Sequence, residues 1–506
     1  MDSQDSRSNN QQNRSTKSRR RFLALTAMGS ATAIAGCSGD GGSGSTQNTG
    51  TGNGVSGQNS TPGSSGTTNG SNFDDVSFNF WDSFNVQSRQ ARTTIERMIG
   101  QFEGRTGASV ETNWSSYGEL SGAKWVNAWD RGQIPTLYTS ETADMGKFFI
   151  NDWVKPVREY EDRLPDGLME NIEWIRPILE DAARGFDNIL YELPFGILPR
   201  NPIVARTDHL EAAGFNPDSF QVTGYEDLIQ KASKLQEDGP GDYGFQIFGS
   251  AYDWNDIMQV WAMAEYGKKG RLFNEDWSDV NYTNEAFMDM AKKYTAVYQE
   301  HGLSSPKTPQ QADEPMVPAL NQGTVSMSMP EWLNLPEFLS QAGDKVKDGT
   351  IRWYPMWEGD SGQRGMFGMY GIGITRGPDN ADQSTIERRQ EAAIDFMSKW
   401  FSKEFQRKLP HTMGVLPVRE DVYDELEIPG AEQNKTVETA NTMINSVKYA
   451  WEYHPNCSSV RAGIPGNYMS KMLNGSISPQ EAMNSMYDEA QTLSHVPYDK
   501  SQWKKP

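Results

Sequence analysis

Two cysteines in 506 residues, Cys37 and Cys457, exclude a disulfide framework and any Cys-x-x-Cys metal or redox site. Histidine is nearly as scarce: His209, His301, His411, His454 and His495 are scattered, and no two stand at zinc-site spacing. P-loop, dinucleotide-binding glycine fingerprint and Gly-x-Ser-x-Gly elbow are all missing, so no cofactor and no metal is expected. No stretch after residue 37 is apolar enough to span a bilayer, and the mean hydropathy is −0.70. Basic residues number 47 against 67 acidic ones, a formal charge of −20. That acidity would repel phosphates and excludes nucleic acid as a partner. Internal repeats are absent, which argues against an adhesive or purely structural surface protein.

What is present begins with Ser18-Arg19-Arg20-Arg21-Phe22-Leu23 and a short apolar stretch ending Ile34-Ala35-Gly36-Cys37. The paired arginines resemble a twin-arginine export signal, and Ile-Ala-Gly-Cys resembles a lipobox whose cysteine thiol receives a lipid. A spanning anchor is the alternative, but Phe22 to Ala35 is only about half of the roughly 20 apolar residues a spanning helix needs, and it holds Thr26, Gly29, Ser30 and Thr32. Residues 1–37 are therefore expected to be a twin-arginine lipoprotein signal. Residues 38–72, almost wholly Gly, Ser, Thr and Asn, form a flexible tether with a reach on the order of 30 Å. Asn59-Ser60-Thr61 and Asn69-Gly70-Ser71 within it fit the N-glycosylation pattern. Removing residues 1–37 takes away six basic and two acidic residues and leaves −24. Such a dense carboxylate surface, together with the signal and tether, points to adaptation to concentrated salt and to a halophilic archaeon.

From Phe73 onward tryptophan, tyrosine and regular apolar periodicity continue to the end. About 430 residues exceed what one core usually supports, so two lobes are expected. Val76, Phe78 and Phe80 alternate as a strand running into Trp81-Asp82-Ser83; Ile95, Met98, Ile99 and Phe102 then recur at helical spacing, and a second strand is expected at Val110 to Trp114. This β-α-β start predicts a mostly parallel sheet that binds ligands beyond the carboxyl ends of its strands. Val325, Met327 and Met329 alternate within Thr324 to Trp332. Tyr370-Gly-Ile-Gly-Ile-Thr375 reads as a strand with glycines where neighbouring backbone approaches. Ala393, Phe396, Met397, Trp400 and Phe401 form one apolar stripe. Ser478-Pro479-Gln480-Glu481 is a helix cap.

In this order the pieces resemble the extracellular solute-binding proteins of ABC importers, the large sugar-binding family that includes maltose-binding protein. The resemblance rests on Leu193-Pro-Phe-Gly196 leading to Val204-Ala-Arg-Thr-Asp-His-Leu-Glu-Ala-Ala-Gly214, on Gly323 to Trp332, on Glu391-Ala-Ala-Ile-Asp-Phe396, on Gly414-Val-Leu-Pro-Val418 and on Asn474 to Ala482. It departs at Ala205-Arg206-Thr207, where the family often has Tyr-Asn-Lys, and at Thr136, where an aspartate is common. The resemblance implies an α/β, two-lobed, type II binding-protein fold over 73–506 that closes over a ligand. Lobe 1 would cover about 73–195 and 356–415, lobe 2 about 196–355 and 416–506. Crossings would fall near Pro194 to Pro202, Tyr354 to Trp357 and Gly414 to Pro417. It further implies a non-enzymatic, monomeric binding subunit that delivers its solute to ABC permease subunits from the outer face of the membrane.

A sugar cleft mixes aromatic rings, which stack on pyranose C–H faces, with polar groups that hold the hydroxyls, and the chain carries 21 Phe, 19 Tyr and 15 Trp. Loops with that mixture supply the expected ligand-binding residues Trp81, Ser83, Trp114, Tyr117, Ser250, Tyr252, Trp254 and Glu331. Phe195, Ser140, Tyr370 and Gly371 join them. By the family's pattern Trp332 matches the tryptophan that stacks on sugar after the Met-rich strand, and Glu141 sits in the loop after the third strand. Trp400, on its stripe, is expected in the core, as are Trp125 and Trp129. The rival reading is a surface-anchored glycoside hydrolase; it would need eight repeated strand-helix units, and the late Gly414-Val-Leu-Pro turn with its helical C-terminus fits the two-lobed binder instead.

The charge generates a prediction. From 1 M to 0.1 M salt the Debye length grows from about 3 to about 10 Å, so carboxylate repulsion lengthens its range. The melting temperature should fall on dialysis across that interval; a flat value would leave the acidity without this explanation.

Overall fold

Alternating apolar residues at the start of the working domain build a strand, β1 (Ser77–Asp82), whose Phe78 and Phe80 point into a layer of aromatic rings. In the computed structural model residues 72–83, 89–115, 123–141, 145–164, 166–249, 254–311, 316–378 and 381–493 are described. Helix α1 (Arg89–Thr106) follows β1 and lays Ile95, Ile99 and Phe102 on the sheet. β2 (Ser109–Trp114), α2 (Ala123–Asp130) and β3 (Leu137–Glu141) complete the opening unit. β1 pairs parallel with both β2 and β3.

Six strands form the first sheet, in the order β10-β4-β9-β3-β1-β2, with β4 at Leu193–Pro199, β9 at Phe367–Ile374 and β10 at Leu416–Pro417. The second sheet runs β6-β7-β5-β8, with β5 at Ile203–Arg206, β6 at Tyr243–Gln246, β7 at Val325–Ser328 and β8 at Ile351–Tyr354. The expectation of a mostly parallel sheet is overturned. β9 is antiparallel to β3 and β4, β10 to β4, and β5 to β7 and β8. The reason is topological: β9 and β5 enter their sheets from the other sheet by a crossing of the chain, not through a right-handed strand-helix-strand unit.

The chain changes sheet between Pro199 and Ile203 and again between Tyr354 and Phe367. At the first crossing Asn201 takes a left-handed φ of 52° and its Nδ2 donates to Met329 O at 2.9 Å, tying the turn to the end of β7. β4 stays in the first sheet through Pro199, and β10 belongs to that sheet as well.

Helices cover the sheets: α3 (Tyr225–Asp238), α4 (Trp254–Tyr266) and α5 (Glu285–Gln299) in the middle of the chain, then α6 (Gln383–Met397), α7 (Lys403–Met413) and α8 (Pro479–Gln491). Phe396 of α6 lies 5.3 Å from Phe102 and 5.7 Å from Phe80, and Trp400 lies 5.9 Å from Phe80, ring centre to ring centre. Trp400 and Trp125 are core residues, as expected from the pattern. Each such edge-to-face pair adds about 0.5–1.5 kcal/mol beyond the area it buries. The cap at Ser478 is a full capping box: Ser478 accepts from Glu481 N, and Glu481 from Ser478 N.

The glycines of β9 admit side chains rather than backbone. A Cβ at Gly371 would sit 2.2 Å from Glu192 Cδ, and one at Gly373 would sit 2.5 Å from the Tyr138 hydroxyl. Residues 73–506 group as one compact unit. Among the described residues no helix is long and apolar enough to cross a membrane.

Candidate functional site at the junction of the two sheets

Glu141 is the last residue of β3, where the parallel part of the first sheet ends, and its cross-strand neighbour on β9 is Tyr370. The residue is 4 % exposed, and its carboxylate holds two guanidiniums. Arg461 grips it with both terminal nitrogens, Nη1 to Oε1 at 3.0 Å and Nη2 to Oε2 at 2.9 Å, while Arg200 Nη2 reaches Oε1 at 2.7 Å. Arg200 also pairs with Glu331, which lies just past β7 of the second sheet. Trp451 is clasped between the two arginines, with the Cζ atoms 3.7 and 3.8 Å from its ring centre, and its Nε1 donates to Gln259 Oε1 of α4 at 3.0 Å. Gly368 makes room: a Cβ there would sit 2.8 Å from Arg200 Nε.

Four charges thus cancel inside the junction, two positive and two negative. Burial alone would push the Glu141 carboxyl up, but the Arg461 and Arg200 guanidiniums outweigh it and hold the group below the usual carboxylate range. Burial and then the Glu141 charge push the Tyr370 phenol well above its ordinary value, so it stays a neutral hydroxyl.

Beside this cluster the ends of β1 and β3 are bound together. Asp82 Oδ1 accepts from Thr139 Oγ1 at 2.8 Å, and Ser83 N donates to the same Oγ1 at 3.1 Å. Ser140 Oγ donates to the buried Glu192 Oε2 at 2.6 Å, so this hydroxyl is committed to the carboxylate beneath Gly371. Lys124 of α2 lies 5.2 Å over the Trp81 ring and donates to Asn113 Oδ1 at 3.0 Å. Trp81 in turn packs edge-on against Trp125 at 5.5 Å, leaving 7 % of it exposed. Trp114, at the end of β2, is half-buried with Arg92 5.1 Å over its ring.

Of the residues singled out from the sequence, Glu141, Tyr370 and Glu331 are brought together through Arg200. Trp81, Ser83, Trp114 and Ser140 stand at adjacent strand ends. Phe195 faces the core of the first sheet, 4.7 Å from Trp400 and fully buried, because successive residues of β4 point to opposite faces. Trp332 is also fully buried, in the short helix 332–334 just past β7, and offers no face to solvent in this state. Tyr117, Ser250, Tyr252 and Cys37 lie outside the described residues, as do the side chains of Trp254 and Trp129. Sequence reasoning missed Arg200, Arg461, Trp451 and Glu192. The signal for Arg200 was its place in Pro199-Arg-Asn-Pro202, a charged residue at a proline-bracketed crossing; nothing local marks Arg461.

The family model described as bacterial extracellular solute-binding protein matches residues 87–407, more than half of the chain. Among solved structures, the fold is similar to an ABC transporter solute-binding protein from Thermotoga lettingae bound with α-D-tagatose, at 18 % identity and TM-score 0.63, covering 82 % of this chain and 98 % of that one. The GacH receptor of Streptomyces glaucescens, solved unliganded and with acarbose, gives 18 % identity, TM-score 0.63 and coverages of 82 % and 97 %. Maltose-bound MalE3 of T. maritima gives 14 %, 0.62, 82 % and 99 %.

The buried network makes two predictions. Glu141→Gln strands guanidinium charge in the junction and should cost on the order of 3–5 kcal/mol of stability, with part recovered in a Glu141→Gln/Arg461→Met double variant; additive losses in urea unfolding would refute the coupling. Because the folded-state value of Glu141 is depressed, its contribution is complete above the unfolded value near 4.3 and is lost as pH falls through the folded one. The wild type should therefore lose stability more steeply than Glu141→Gln below about pH 4.

Proposed function

The chain belongs to the bacterial extracellular solute-binding proteins, and from that premise we propose that it captures a sugar or oligosaccharide at the junction of its two sheets and hands it to an ABC permease. One observation carries the reading. Glu141, at the carboxyl end of β3 with Tyr370 as its cross-strand neighbour, meets through Arg200 a carboxylate just past β7 of the second sheet, Glu331, and Arg200 itself lies where the chain crosses between the sheets. A ligand seated there touches both sheets only when they are together, so its binding energy selects the closed arrangement that a permease reads.

The chemistry fits a polyhydroxyl solute. Glu141, Glu331 and the two arginines offer acceptors and donors in fixed positions without net charge, and the half-buried Trp114 and the Trp81–Trp125 pair offer apolar ring surface nearby. The similar proteins from Thermotoga lettingae, Streptomyces glaucescens and T. maritima are described with tagatose, acarbose and maltose respectively, which supports the sugar class. No bond-breaking pair is needed for this role, and the bound saccharide is expected to leave unchanged. Anchoring through a lipid on Cys37, beyond the 38–72 tether, and export in the folded state by the twin-arginine route complete the proposal, for a monomeric halophilic protein.

Binding is read by thermal shift and calorimetry in high salt across mono- and oligosaccharides, where a ligand at 100 times its dissociation constant adds roughly 2.7 kcal/mol of stability. Trp114→Ala should weaken the best ligand roughly 5- to 150-fold at unchanged melting temperature, as should Trp81→Ala relative to its own stability loss. Trp332→Ala should chiefly lower the melting temperature, since that ring is wholly buried. Cleaved saccharide in the incubation, or no response from any strand-end tryptophan, would sink the assignment. Cys37→Ser should move the protein from membrane to medium with affinity unchanged, and retention on the membrane would make the apolar segment itself the anchor.

A further inference from the structure

The tether's two Asn-x-Ser/Thr patterns are joined by five more in the working domain, at Asn113, Asn281, Asn434, Asn456 and Asn474. An asparagine can be glycosylated only where a transferase can reach its Nδ2 and draw out the local backbone, so the fold decides among them. Asn434 is fully buried and its Nδ2 donates to Pro429 O at 3.0 Å. Asn456 is buried in the segment between the sheets. Asn281 is half-buried and spends its Nδ2 on Arg271 O at 2.9 Å. Asn113 is fixed in register opposite Trp81 in the β1–β2 ladder, with its Oδ1 held by Lys124.

Asn474 differs in every respect. It closes the short helix Met469–Leu473, stands four residues ahead of the cap of α8, and lies in an exposed run with Gly475 and Ser476. Gly475 takes a left-handed φ of 78°, which brings Ser476 back over Asn474. Ser476 Oγ donates to Asn474 Oδ1 at 2.5 Å and Ser476 N to the same oxygen at 3.0 Å, so the hydroxyl that the pattern requires already sits on the amide it serves. None of the described residues accepts a hydrogen bond from the Asn474 Nδ2.

We propose that Asn474 is an N-glycosylation site, the one of the five that the folded domain leaves open. The inference rests on the extracellular placement that the family gives, not on which solute is bound. The donor is a glycan carried through its anomeric carbon on a lipid-linked phosphate. Asn474 Nδ2 forms a bond to that carbon, the carbon–oxygen bond to phosphate breaks, the lipid phosphate leaves with the electron pair, and one Nδ2 proton passes to the transferase's base. Selection by the fold also separates two histories of the chain: a protein that meets the transferase unfolded would be open at Asn434 and Asn281 as well, whereas one that meets it folded is open at Asn474 and in the tether.

The test uses the full chain recovered from the outside of its own cells, digested with trypsin, with electron-transfer fragmentation to place any added mass. Residues 472–500 form one tryptic peptide with a single Asn-x-Ser/Thr pattern. The expected result is a glycan on Asn474, lost in Asn474→Gln and in Ser476→Ala and kept in Ser476→Thr, with saccharide binding unchanged in all three. A bare 472–500 peptide overturns the proposal whatever the tether carries. So does a peptide bearing only the small mass increase of hydrolysis to aspartate, the alternative reaction of an exposed Asn-Gly pair. Glycans on Asn434 or Asn456 would overturn the argument that the fold makes the choice.

Discussion

A single carboxylate holds the two halves of this protein in register. Glu141 receives Arg461 on both oxygens and Arg200 on one, and Arg200 passes the connection to Glu331 across the junction. Ions this deeply withdrawn from water repay their lost hydration only when every partner is in place, because each pair's attraction has to offset a cost of several kcal/mol per ion. The group is therefore cooperative: four residues from four separate stretches of chain must arrive together, and Trp451 must stand between the guanidiniums to give them ring faces in place of water.

The stretch that brings Trp451 and Arg461 works on both sides of the junction. Its backbone joins the first sheet where Trp451 N bonds Phe367 O, and Tyr453 N bonds Ala182 O at the end of the helix Arg176–Ala182. Gly146 is pressed so closely to it that a Cβ would sit 1.9 Å from Tyr453 O. Facing the other way, the His454 ring stacks on Phe273 at 3.9 Å and Tyr282 bonds Val460 O. A second ion network, Arg184 to Glu452 and Arg271 to Asp181, fastens the same stretch at its far edge. Relative movement of the sheets has to be accommodated by this strap as well as by the crossings.

What could be read from the sequence was what is decided locally. The β1–α1–β2 opening, the Met-rich strand, the stripe of α6 and the cap at Ser478 depend on periods of two and 3.6 or on four consecutive residues, and all are in the structure. Strand direction was misread because β9 arrives from the other sheet, a fact of topology with no local mark. The site was half legible. Strand ends pointed to Glu141 and Glu331, yet their partners stand 59, 131 and 320 residues away, beyond any spacing rule. Phe195, within β4, and Trp332, just past β7, carry the right chemistry, and which face of the sheet or loop they occupy is set by packing that the sequence does not spell out.

The strand order has a consequence for the time course of synthesis. β3 and β4 are joined only through β9, which is made roughly 230 residues after Glu141, once the whole second sheet has been completed. At 5–20 residues per second the edges of β3 and β4 stay unpaired on the ribosome for about 10 to 50 s, and the junction cannot neutralise its charges until Arg461 has emerged still later. The half of the molecule that is written first is thus the half that finishes last.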